Sequence, residues 1–472
     1  MTLRYRIFVG ESKSFIEDYI SSLDFDRKLV KYVAMVMLAH VRALESGGYI
    51  SKAQSENILK ELIDIIKTNG EKIYRWIEEK KIKFEDIFEV LESYLYDVVD
   101  SGAGYIALGR SRNDHVAAVL RIFARDLLFD ILLNIIELRR ILLEKASEYR
   151  NTIFPFFTHQ QLAQCGSAAL YFLSYEHSLA VAWRQLIQKF AILSENPLGS
   201  GAAAGTMVSL DISLLSKYLC FSQDIIPPYY ATGSRQFLLF LASDIVLAMS
   251  ELSRMAEDLI FINSLIPYAI EFPVEHIATS SIMPHKRNLV TLEIARAKAS
   301  RAIGFLTSML STYRSIPYGY NLDLQEVNRT FIDMVSEVLN TIKIFIDIIH
   351  GVKINEDKIL KYIEDKPWWS SDVVEYIAIK KNKPVREIYF QIAKQLKNYK
   401  QNGEALSKIL SGIGITISDI WNIIRGKPVE GYIKKMIEEA WKVLENDRKL
   451  VKDEIERVER CRLELLSEFR QV

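Results

Sequence analysis

The densest concentration of reactive side chains lies between Ala278 and Glu293. It reads Ala278-Thr279-Ser280-Ser281-Ile282-Met283-Pro284-His285-Lys286-Arg287-Asn288, with Glu293 a few residues on. Nothing in a packed core calls for that order of hydroxyls, proline, cations and amide. A flexible serine segment beside fixed cations suits a loop that closes over an anionic substrate; a solvated surface loop is the plainer alternative. Phe157-Thr158-His159-Gln160-Gln161-Leu162-Ala163-Gln164 puts a hydroxyl, an imidazole and amides into one expected turn. Histidine is the side chain best matched to proton transfer near neutral pH, although a single histidine is more often structural. Gly109-Arg110-Ser111-Arg112-Asn113-Asp114-His115 sets two arginines and an amide at the expected start of a helix. Such a place suits carboxylate binding, or a helix cap flanked by solvated arginines. Pro197 to Thr206 is rich in glycine and alanine, which points to close backbone approach; it lacks the ending of a phosphate-binding loop. Tyr318-Gly319-Tyr320-Asn321-Leu322-Asp323-Leu324-Gln325-Glu326 is a further polar cluster, or a capped turn.

Long helices must carry these clusters, since each cluster falls at a break between them. Neither glycine nor proline occurs between Gly109 and Pro155. Val116, Leu120, Phe123, Leu127, Ile131, Leu132, Ile135 and Leu138 recur there at helical spacing. A helix of about 35 residues would be about 50 Å long. Similar patterns predict helices over Ser167–Glu195, Arg235–Ser264, Thr291–Tyr313 and Asp323–His350, the last ended by Gly351. Asp323 and Glu326 have the spacing of a capping box. Shorter helical patterns occupy 26–68 and 71–100, and short lysine-rich amphipathic segments follow Gly351. No sustained strand-type alternation is visible. The expected fold is all-α: an N-terminal helical domain (1–108), a long central five-helix bundle (109–352) and a C-terminal helical domain (353–472). The broad apolar faces of the bundle call for partners on several sides, other subunits included.

Composition narrows the function. Sixty basic and sixty acidic residues cancel, so no general attraction to nucleic acid or an anionic membrane is expected. Three widely spaced cysteines, Cys165, Cys220 and Cys461, give neither a disulfide framework nor a metal-ligand pattern. MTLRYRIFVGESKS holds no long apolar run, and charges interrupt the apolar stretches elsewhere, so neither a leader nor a membrane span is expected. A cytoplasmic protein is the expectation.

Taken in order, these segments resemble the fumarase/aspartase superfamily over nearly the whole chain. SSIMPHKRN is similar to its signature loop. GRSRND, the FDRKL segment after Ser22, SRMAEDL, DLQE and SSDVVEYIAIKKNKPVRE resemble the argininosuccinate lyase branch. The resemblance implies a homotetramer and β-elimination releasing fumarate, here from argininosuccinate in arginine biosynthesis. It implies no metal and no organic cofactor. Each site would be composed from three subunits around a small dicarboxylate substrate.

Carried onto this sequence, Ser280 would take the Cβ proton. Thr158 and His159 would face the substrate, with Glu293 paired to His159. Lys286 and Asn288 would bind carboxylate and hold the developing charge. Ser22, Arg112, Asn113, Gln161, Arg235, Ser281, Tyr320 and Gln325 would complete the binding set. His159 is the candidate for protonating the leaving nitrogen. The residue types fit the chemistry. Proton removal beside a carboxylate gathers a second negative charge there, and prearranged cations and amides lower that barrier. Serine acts as base only if its alkoxide is stabilised.

Several positions depart from the family pattern: Thr279 for glycine, Leu289 and Val290 for proline and aspartate, Asn328 for lysine, Gln236 for aspartate, and Phe88 for histidine. His285-Lys286-Arg287 is closer to the adenylosuccinate lyase loop, although GRSRND argues against that relative. These changes bear on the substrate more than on the reaction type. A non-catalytic structural homologue and a helical scaffold are the remaining alternatives. Retention of Ser280, His159 and Lys286 speaks against the first, and the native mass, a tetramer against a monomer, discriminates the second.

Overall fold

Ser111 starts the longest helix of the bundle. Its hydroxyl accepts from the Asn113 N–H (3.2 Å), and Asp114 accepts from the Ser111 N–H (3.0 Å), closing a capping box. The helix that follows runs 37 residues without a breaker, a length of about 55 Å. The computed structural model describes residues 13–80, 83–99, 101–223, 226–402 and 406–467. Most of the segment read above for a leader, residues 1–12, lies outside them.

Six helices precede the bundle: α1 (Ser14–Ile20), α2 (Leu23–Asp26), α3 (Val30–Ser46), α4 (Lys52–Lys67), α5 (Glu71–Lys80) and α6 (Ile87–Val99). The capped helix is α7 (Arg112–Glu148). It leads through β1 (Ile153–Thr158) and β2 (Gln161–Ser167) to α8 (Ala168–Ile187). Short helices α9 (Phe190–Leu193), α10 (Ile212–Leu219) and α11 (Pro228–Gly233) connect to α12 (Gln236–Leu265). Then come β3 (Ile270–Glu271), α13 (Val290–Tyr313), α14 (Asp323–Gly351) and β4 (Lys353–Ile354). The chain finishes with α15 (Glu356–Ile363), α16 (Ser370–Lys381), α17 (Val385–Asn402), α18 (Leu406–Ile413), α19 (Ile417–Arg425) and α20 (Pro428–Ser467).

Helices α7, α8, α12, α13 and α14 pack on one another around a single apolar core that includes Leu132, Leu179, Ile245, Ala299 and Phe345. The long-bundle, all-α expectation is met. Helix α12 is apolar and long enough to cross a membrane, but more than half of its most apolar stretch is packed inside the bundle. Helix α20 returns along α7 and α10 through a stripe of five residues spaced seven apart, Ile437, Leu444, Val451, Val458 and Leu465, all buried. Arg139 is fully buried between Glu176 (2.9 Å) and Asp447 (2.7 Å), tying α7, α8 and α20 together. A second, smaller core gathers Trp368, Trp369, Val373 and Ile420 around Ile153 and Cys165.

Two readings of the sequence need correction. Helix α14 has Leu322 as its N-cap, with no side-chain capping bond; Asp323 is the first helical residue and offers only its charge to the helix dipole. The Phe157–Gln164 segment is no turn leading into a helix but the tip of an antiparallel hairpin, β1 against β2, with Thr158 opposite Gln161. Its two turn residues, His159 (φ 51°) and Gln160 (φ 58°), are both left-handed, the geometry of a type I′ turn usually built from asparagine and glycine.

Candidate active site

The contacts fix which helix ends lie together. Lys145 donates to the Val352 carbonyl (2.9 Å), so α7 and α14 end side by side. Arg235, at the start of α12, donates to Asn328 near the start of α14 (3.0 Å). Ser178 meets Glu251 (2.7 Å) and Tyr175, earlier on α8, meets Asp258, later on α12, which sets the two helices antiparallel. The bundle therefore has two chemically distinct ends. Helix α12 alone, at 30 residues, separates them by about 45 Å.

At one end the 278–288 loop joins α12 to α13. A mutual backbone pair between Ala278 and Asn288 (3.0 and 2.9 Å) closes its base. Inside it, the Ser280 hydroxyl oxygen accepts from the N–H groups of Met283 (3.2 Å) and Ile282 (3.4 Å). Two amide donors on one oxygen favour its anionic form, as a serine base requires. Ser280 and Asn288 are partly buried, whereas Ser281 and Lys286 are exposed. Glu293, in the first turn of α13, is exposed and lines a cavity of about 730 Å³ with His285, Arg287 and Asn288. The hairpin tip is at the same end of the bundle, with Phe157 packed edge-on against Phe261 of α12. Thr158, His159 and Gln161 are exposed there. Among the described residues, His159 makes no hydrogen bond or ion pair with Glu293 or Ser280 of its own chain.

The opposite end is buried and crowded with charge. Arg112 pairs with Asp86 and with Glu85 (3.0 Å). Ser22 is buried and donates to Asp26 (2.6 Å), so its hydroxyl points into the protein. Burial, then the neighbouring Asp86, pushes the Asp26 carboxyl up to about 7. Burial also raises Asp114 to about 7, although it accepts from the Ser111 and Gly201 N–H groups. Asn113 donates to the Ala202 carbonyl (3.1 Å) in the glycine-rich loop. Gly201 there has φ 57°, and a Cβ would stand 2.4 Å from the Gly205 oxygen, which explains the glycine. Gln325 donates to the Ile20 carbonyl (3.0 Å). Arg235 is fully buried, donating to Asn328 and to the Ser234 carbonyl (2.9 Å), and burial lowers it to about 10. Burial raises the Tyr320 phenol against the opposing pull of Arg235 and Arg112. Phe88 is buried. So is His115, whose imidazole burial holds neutral, far below its ordinary value.

Thus Ser22, Arg112, Asn113, Arg235, Tyr320 and Gln325 gather at one end. Thr158, His159, Gln161, Ser280, Ser281, Lys286, Asn288 and Glu293 occupy the other. One chain does not unite the two groups. Sequence reasoning overlooked the acids around Arg112, namely Asp26, Glu85 and Asp86; the adjacent acid pair just before α6 was the available signal.

The protein family described as Lyase matches residues 8–304. An argininosuccinate lyase of Pyrococcus furiosus is 36% identical over 451 residues, 95% of this chain and 96% of its own length. The chain belongs to the argininosuccinate lyase family. A member from Sulfurisphaera tokodaii is 38% identical over 388 residues, covering 82% of this chain and 83% of its own. Solved structures share the family's fold. An EDDS lyase in complex with formate superposes with a TM-score of 0.80 at 20% identity, over 97% of this chain and 94% of its own. A class II fumarase from Schistosoma mansoni gives 0.71 at 16% identity, over 86% and 91%. These confirm the fumarase/aspartase-like architecture expected from the argininosuccinate lyase signature segments.

Proposed function

We propose that this chain cleaves argininosuccinate into arginine and fumarate by β-elimination, in sites shared between copies of a homotetramer. The Ser280 oxygen, held by two N–H groups of the loop that also carries Lys286, is the observation that carries this reading. As alkoxide it removes the Cβ proton. The C–H electrons form the double bond, the C–N bond breaks, and the leaving nitrogen takes a proton, with His159 as donor. Lys286 and Asn288 hold the second negative charge gathering on the carboxylate.

The distance between the two ends supports a shared site, since the Arg112 group can meet a Ser280 loop only from another copy. Exposed apolar residues on α12 and α13, among them Phe240 (51%), Leu247 (63%) and Ile303 (51%), supply faces for such packing.

The test is product identification with purified protein and argininosuccinate, together with native mass. Fumarate and arginine in equal amounts from a tetramer are expected. Asn328, drawn to Arg235, and Arg287 in the loop favour one competing reading, another amino-succinyl substrate such as adenylosuccinate. Fumarate from that compound alone would overturn the substrate assignment, and a monomer that turns over would overturn the shared site.

A further inference from the structure

We propose that His276 is a positioning residue for Ser280: its imidazole clamps the neck of the 278–288 loop to the bundle. The inference rests on the reading of Ser280 as the base. His276 ends a short turn (Val274–His276) just before the loop and is only 4% exposed. Its Nε2 lies 2.9 Å from Asp347 Oδ2 and its Nδ1 lies 3.1 Å from Thr291 Oγ1. A carboxylate only accepts, so Nε2–H donates to Asp347; in the neutral ring, Nδ1 then accepts the Thr291 hydroxyl hydrogen.

The places of these partners matter. Thr291 is on the chain leaving the loop, three residues past Asn288, while His276 is on the chain entering it, two residues before Ala278. The His276–Thr291 bond is therefore a second rung outside the Ala278–Asn288 pair. Asp347 stands in the last turns of α14 and is the fixed post. The same stretch is anchored twice more on that helix end. Ile270 and Glu271 pair with Ile354 and Lys353. Pro273 packs on Gly351 so closely that a Cβ there would lie 2.3 Å from its Cγ. Beyond the neck, Ser281 to Arg287 are exposed. The loop is thus rigid where it leaves the bundle and open where it meets substrate. A base must be placed to within about 0.5 Å to act well, and a 1 Å error costs about 100-fold in rate. The neck is where that placement is set.

Three variants of the assembled enzyme test this: His276→Phe, His276→Gln and Asp347→Ala, with Ser280→Ala as control. Asp347 is 72% exposed at its side chain, so its removal leaves the fold intact while taking away the post. His276→Phe is expected to lower kcat about 30-fold and to raise KM no more than about threefold, because Lys286 and Asn288 move with the loop while the binding groups at the far end are untouched. Asp347→Ala is expected to lower kcat about fivefold at unchanged Tm. His276→Gln, which keeps one donor, should recover part of the loss. The inference fails if His276→Phe and Asp347→Ala both stay within about twofold of the parent kcat. It also fails if kcat falls only in step with the folded fraction. Turnover in Ser280→Ala would sink the reading of Ser280 itself. An inactive Ser280→Ala beside a fully active His276→Phe would sink this inference alone.

Discussion

The two ends of the bundle are built on opposite plans. Around Arg112, polar groups are buried and answered within the chain: Arg112 by Glu85 and Asp86, Ser22 by Asp26, Asp114 by two backbone N–H groups. Around Ser280, the polar side chains face solvent, and the serine oxygen is answered only by its own loop. Folding completes the first end. The second is left open to solvent. Buried, hydrogen-bonded groups hold geometry well but adapt poorly. Exposed groups on a clamped loop can close on a ligand and strengthen as water leaves. One protein thus sets a closed, internally paired end against an open one along a single set of helices.

That division can be broken by substitutions whose effects should fall on activity at one end and on stability at the other. The largest effect belongs to Ser280→Ala, with kcat expected to fall at least about 1000-fold while Tm and native mass stay those of the parent; steady-state kinetics beside thermal unfolding checks both. Arg112→Ala should do the reverse in emphasis. It removes the cation that Glu85 and Asp86 share and should cost about 3 kcal/mol of stability, read as a lower denaturant midpoint, with a raised KM. Asp26 makes the buried end sensitive to pH. Its folded-state value of about 7 lies above the ordinary 3.8, so its contribution to stability is full below about pH 4 and is lost as pH rises through about 7. Asp26→Asn should remove its share of that slope, worth about 4 kcal/mol between pH 4 and 8, in denaturation curves taken across the range. The smallest effect sharpens the contrast at the open end. Gln160→Gly relieves a left-handed residue in the hairpin turn and should add about 1 kcal/mol of stability, seen as a small rise in Tm.

The long helices were legible because glycine and proline mark their ends. Arg112–Glu148, Gln236–Leu265 and Asp323–Gly351 each begin or stop within a few residues of such a mark. The hairpin was not legible, for two physical reasons. Ile153-Phe154-Pro155-Phe156-Phe157 is apolar throughout and shows no alternation. His159-Gln160 makes a tight turn without the usual residues, so nothing announced it. Of the candidate site, the residue types were readable and their grouping was not. Ser22 and Tyr320 lie in distant parts of the sequence, and only the fold shows them at one end, with Ser280 at the other. The inward turn of the Ser22 hydroxyl depends on Asp26, four residues on, being buried beside it. His276 gave no signal, because a lone histidine before a loop looks like any other.

The buried triad of Arg139, Glu176 and Asp447 bears on how this molecule is made. Asp447 is 308 residues beyond Arg139. While the ribosome is still adding those residues, Arg139 has Glu176 alone for company, and the groove that will receive Ile437 to Leu465 stands bare. Domains generally form in the order of synthesis, yet here the central core is not sealed until α20 has been made. Until α20 docks, the apolar surface that Ile437, Leu444, Val451, Val458 and Leu465 cover along α7 and α10 stays open to water.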